Sequence, residues 1–90
     1  MDAIKTLSKD DVILETARYI EERFSAFHGS GVNGETELLE NGEIDSLGML
    51  DLMSFLEEKF SIEMTDDDFL PDYFETLNAL ADLVVSKVER

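Results

Sequence analysis

The sequence predicts an all-α fold, a four-helix bundle with three longer helices, a short third helix and a long loop between the first and second. Three observations support this. Apolar residues recur at steps of three and four in separate runs, each run follows a Ser, Thr or Asp able to cap a helix, and glycine or proline breaks separate the runs. Ninety residues allow one such domain, spanning 1–90. An apolar fraction of 43% is enough for a core, so wholesale disorder is not expected despite the charge.

Residues 1–7 are expected to be flexible. Ser8 followed by Asp11 has the form of a capping box with Asp in place of Glu, which starts the first helix near Ser8. Its apolar stripe is Ile13, Ala17, Ile20, Phe24 and Phe27. His28 closes that stripe. A catalytic base there would need partners that the neighbouring residues do not offer, whereas a helix C-terminus favours a cation, so His28 reads as structural. Gly29, Ser30, Gly31, Asn33 and Gly34 then end the helix, and the connection runs to Gly42 or beyond. Leu38, Leu39 and Ile44 are expected to pin this loop, each contributing roughly 1.5 to 3 kcal/mol if fully buried.

Asp45 has the short acceptor side chain of a helix cap, which places Ser46 at or beside the first position of the second helix. That helix has two unlike faces. Met49, Met53, Leu56 and Phe60 form a core stripe, while Leu47, Leu50, Asp51, Ser54 and Glu58 form a mixed apolar and acidic stripe beginning at the serine. The second stripe is a candidate contact surface. Beyond it, Ile62 and Met64 are expected to tuck inward from an extended link. Thr65 or one of Asp66, Asp67 and Asp68 should cap the short third helix, carrying Phe69, Leu70, Tyr73 and Phe74 and kept short or irregular by Pro71. The three aspartates lack the spacing, central glycine and distal glutamate of a calcium loop, so they read as caps and solvated charge. Thr76 caps the last helix, whose stripe is Leu77, Leu80, Ala81, Val84 and Val88, closed by Lys87 and Arg90.

The net charge of −15 excludes nucleic-acid backbone binding as a default and disfavours anionic membranes. It favours basic protein partners, whose encounter it would steer. Between Glu35 and Glu75 there are 14 acids and one base, Lys59, so the negative potential is centred near Ser46. With no cysteine there is no disulfide, thiolate nucleophile or Cys-type zinc site, which suits a reducing cytoplasm. No run approaches the ~18 apolar residues of a membrane span, and the first residues lack a signal-peptide core. A cytoplasmic monomer without membrane insertion is the expectation. Nothing matches a nucleophile elbow, a glycine-rich phosphate loop or a histidine pair at metal-ligand spacing, so neither catalysis nor a metal site is expected.

Asp45-Ser46-Leu47, followed by Asp51-Leu52 and Leu56-Glu57-Glu58-Lys59-Phe60, resembles the 4'-phosphopantetheine attachment region of acyl and peptidyl carrier proteins. The resemblance is strongest over Leu38 to Phe60, and its broad pattern covers nearly the whole chain. It implies that Ser46 is esterified by a carrier protein synthase, a phosphopantetheinyl transferase using coenzyme A and a divalent metal, to give an arm ending in a thiol. The thiol would hold an acyl or aminoacyl cargo as a thioester, making the protein a stand-alone carrier rather than an enzyme. Partners implied are an acyl- or aminoacyl-loading ligase and a downstream acyltransferase or synthase with basic patches. Leu47 and Leu50 match positions of apolar partner contact, Asp51, Glu57 and Glu58 match acids that meet basic patches, and Asp45 matches the acid before the modified serine. In fatty-acid carriers such an interior can admit the acyl chain, which flexible methionines like Met49 and Met53 would ease; ordinary core packing accounts for them equally.

Three features depart from the fatty-acid carrier pattern. Gly42 lies four residues before Ser46, a spacing closer to D-alanyl and stand-alone peptidyl carriers and so to an amino acid or specialised acyl cargo. Gly48, at a position often acidic or polar in the family, is expected to loosen the first helical turn. The segment Phe69 to Glu75 is longer and more aromatic than the usual third helix. The rival reading is an acidic helical interaction or regulatory module in which Ser46 is a plain cap.

Overall fold

The computed structural model describes residues 8–40 and 42–88. The expectations for residues 1–7 and Arg90 lie outside them. The first helix, α1 (Lys9–Arg23), begins where its cap predicts: the Asp11 N–H donates to Ser8 Oγ at 3.1 Å. Its buried line is Val12, Thr16, Ala17 and Ile20, followed by Phe24 and Phe27. Ile13, expected to start the stripe, is only partly buried. The rest of the expected stripe, Ala17, Ile20, Phe24 and Phe27, is buried, and polar Thr16 interrupts the line that starts instead at Val12. Thr16 is fully buried, and its hydroxyl has no hydrogen-bond partner among the described residues.

After α1, Phe24 is extended and Ser25–Phe27 makes a single 3-10 turn. The long loop that follows is pinned by apolar burial and by carboxylates. Leu38 and Ile44 are buried as expected, Leu39 is partly buried, and Val32 joins the core. Glu21 Oε2 accepts from the Val32 N–H at 2.9 Å, and Glu43 Oε1 accepts from the Ala26 N–H at 3.2 Å. Glu37 and Thr76 form an isolated antiparallel bridge, beside which the Leu38 N–H donates to the Glu75 carbonyl and the Leu77 N–H to the Thr36 carbonyl. These bonds give loop backbone groups the partners that burial requires.

The second helix, α2 (Ser46–Phe60), buries Gly48, Met49, Leu52, Met53 and Leu56, while Phe60 is only partly buried. It ends at Ser61 in the left-handed conformation, φ 55°. The expected third helix is not α-helical. Two 3-10 turns, Asp66–Asp68 and Pro71–Phe74, stand in its place, so among the described residues three α-helices rather than four build the fold. Pro71 is the cause: its ring disfavours helical geometry in the preceding residue, and Leu70 is extended (φ −124°, ψ 137°). Nor are the aspartates all solvated. Asp68 is buried, pairs with the Lys87 ammonium at 2.7 Å, and accepts from the Thr65 N–H and hydroxyl at 2.9 and 3.1 Å. Burial alone would raise the Asp68 carboxyl, but Lys87 and the Thr65 bonds outweigh it and hold the group below the usual carboxylate range.

The last helix, α3 (Leu77–Val88), is capped by Thr76, whose Oγ1 accepts from the Ala79 N–H at 3.2 Å. Leu77, Leu80, Ala81 and Val84 are buried, whereas Val88 is more than a third exposed. α3 and α1 lie close along each other, with Phe24, Phe27 and Phe74 filling the core around them. α2 meets α1 through long side chains: Tyr19 and Phe55 stack with centroids 4.2 Å apart, Lys59 pairs with Glu15 and Arg23 pairs with Asp51.

Candidate functional site

Ser46 is the first residue of α2 and is exposed. Asp45 caps the helix: its Oδ1 accepts from the Gly48 N–H at 3.0 Å, and its carbonyl accepts from the Met49 N–H at 2.8 Å. The N–H groups of Ser46 and Leu47 belong to the first turn, where no intrahelical acceptor exists, and they face the positive end of the helix dipole.

Gly48 behaves differently from expectation. It is buried, and a Cβ there would come within 3.2 Å of both the Ile44 and Phe24 side chains. Its value is close packing of the α2 start against the loop and the end of α1, not looseness. Gly42 has φ 78°, a conformation that favours glycine, so the turn four residues before Ser46 depends on that residue.

The outward stripe of α2 is apolar at its start. Leu47 is 71% exposed and Leu50 48%, and Ser54 and Glu58 are exposed beyond them. Asp51 lies on the same stripe but is half-buried, its Oδ2 held by the Arg23 guanidinium. Glu57 turns towards the following link, where its Oε2 accepts from the Met64 N–H at 2.8 Å. The structure therefore gathers Ser46, Leu47, Leu50, Asp51 and Glu58 on one face and uses Glu57 as a staple. Arg23 was the neighbour that sequence reading missed. It sits in the last turn of α1, and nothing local in the sequence connects it with a residue 28 positions away.

The described residues thus form a small helical fold that presents an exposed serine at a helix N-terminus beside an exposed apolar and acidic face. The family model described as the phosphopantetheine attachment site matches residues 29–84, more than half of the chain, and the chain belongs to that family. Its covalent cofactor is 4'-phosphopantetheine, and carrier domains of this kind interact with a phosphopantetheinyl transferase and with biosynthetic enzymes. The matched residues include the long loop, α2 and both later turns; α1 precedes them yet packs into the same core. No curated protein sequence matched the chain. Among the described residues, no helix is long and apolar enough to cross a membrane, and no group of His, Cys, Asp or Glu could hold a metal ion.

Proposed function

We propose that Ser46 is the attachment residue and that the protein carries an acyl or aminoacyl group as a thioester on the arm, delivering it between biosynthetic enzymes. The observation that carries this reading is Ser46 itself, an exposed serine at the start of α2 within the matched segment. Leu47, Leu50, Asp51 and Glu58 form the docking face, and Asp45 orients the serine by capping its helix. Partners with basic patches, namely the transferase, a loading ligase and a downstream acyltransferase or synthase, suit the charge. Small, salt-sensitive interfaces suit a carrier that must leave each enzyme. The glycine-dependent turn at Gly42 favours an amino acid or specialised acyl cargo by its likeness to D-alanyl and peptidyl carriers. A monomer working in the cytoplasm completes the proposal.

The test is intact mass before and after incubation with coenzyme A, magnesium and a broad-specificity carrier protein synthase. One phosphopantetheine is gained by the unmutated chain and none by Ser46→Ala, which keeps its fold because Asp45, not Ser46, caps α2. Equal masses before and after, from folded protein not already modified, would favour the acidic interaction module instead.

A further inference from the structure

Within the docking face, Asp51 is the acid best placed beside the exposed leucines, one turn beyond Leu47 and next to Leu50. It is also the acid already engaged. Arg23, the last residue of α1, reaches across to Asp51 Oδ2, and its guanidinium carbon lies 5.1 Å from the centre of the Phe24 ring. A ring beneath and a carboxylate ahead hold the planar group in one orientation, and less freedom is lost on pairing than a lysine would lose. Tyr19 sits against the same pair: burial, then the Asp51 carboxylate, pushes its phenol above the ordinary range, with Arg23 opposing. Both partners of the ion pair remain about half exposed, at 51% and 42% of their side chains, so a competitor can reach it.

We propose that Arg23 is a built-in competitor for partner docking: it occupies Asp51 until a basic side chain of the modifying enzyme displaces it. This deepens the carrier reading and rests on it. The occupant of the Asp51 position in the complex is an Arg or Lys on the synthase surface, as charge complementarity requires. Displacement is opposed by a guanidinium tethered at high effective concentration, so docking is weaker than the count of acids suggests and release is correspondingly quick. Arg23 is thus a positioning residue for specificity.

Steady-state Ser46 modification with coenzyme A, magnesium and the same synthase tests this on the full-length chain. Arg23→Gln is expected to lower KM for the carrier about three-fold, as removal of a half-exposed ion-pair competitor would, with little of the change in kcat. Arg23→Lys, which keeps the charge but loses the flat contact with Phe24, should lower it by a smaller factor. Asp51→Asn should raise KM more in the Arg23→Gln background than in the unmutated chain, and high salt should shrink these differences. Thermal melts of each variant establish that the fold is retained. An unchanged or raised KM in Arg23→Gln, with full modification still reached, overturns the competitor while leaving the carrier reading intact. Absence of modification on the unmutated chain overturns both.

Discussion

Thr16 occupies the middle of the buried line of α1 with a hydroxyl that has no hydrogen-bond partner among the described residues. A buried donor without a partner forfeits its hydration, which costs on the order of 1 to 3 kcal/mol. Valine has nearly the same shape and no polar atom. Thr16→Val is therefore expected to stabilise the protein by about 1 kcal/mol, seen as a higher urea midpoint at unchanged slope. A lower midpoint would mean that the hydroxyl has a role in the fold. Gly48 is the opposite case, a residue whose lack of a side chain is used fully, because Ile44 and Phe24 close over the place a Cβ would take.

The first of the two 3-10 turns between α2 and α3 is tied to α3 by the Asp68–Lys87 ion pair, while Phe74 of the second packs into the core. Asp68 and Lys87 each expose only 11% of their side chains, so each needs the other's charge. Because the Asp68 carboxyl lies below its ordinary range, its contribution is fully present above the unfolded-state value near pH ~3.9 and is lost as pH falls through the folded value beneath it. Asp68→Asn should flatten the loss of stability in that acid window. At neutral pH it should cost roughly 2 to 3 kcal/mol, because Lys87 keeps its charge without a counterion. Denaturant unfolding from pH 2 to 7 checks both, and an unaltered acid limb would assign the transition to other carboxylates.

The molecule as a whole carries 22 acids against 7 bases. Crowding is visible at Glu37, whose carboxyl is pushed up by its hydrogen bond with Glu40, by the Glu40 charge, by burial and by Glu75. Those three line a shallow cavity of about 300 Å³ with Leu39, Pro71 and Asp72, where the loop meets the segment before α3. Repulsion of this kind opposes the compact state and is screened by salt. Raising sodium chloride from about 0.1 to 1 M should raise Tm by about 4 to 8 °C, equivalent to about 1 kcal/mol in a domain of this size. The gain should shrink near pH 4, where carboxylates begin to protonate. A gain that is the same at both pH values would point to general salting-out instead.

What the sequence determined by itself was most of the local structure. The caps at Ser8, Asp45 and Thr76, the spacing of Leu77, Leu80, Ala81 and Val84, the loop anchors Leu38 and Ile44, and the serine at the start of α2 all follow from a few neighbouring residues, so they were legible. The start of the α1 core line and the third helix were misread, while Ala17, Ile20, Phe24 and Phe27 are buried as expected. In the first, a polar Thr16 hid the periodicity, and in the second, the effect of Pro71 on Leu70 outweighed the apolar pattern. Only the tertiary structure decided which charges are spent internally. Asp51 with Arg23, Asp68 with Lys87 and Glu57 with the Met64 N–H each depend on where the chain returns in space. Charge carries no periodic signature of its partner, so acids that read alike in sequence differ in the fold: Asp68 is buried against Lys87, whereas Glu58 stays exposed.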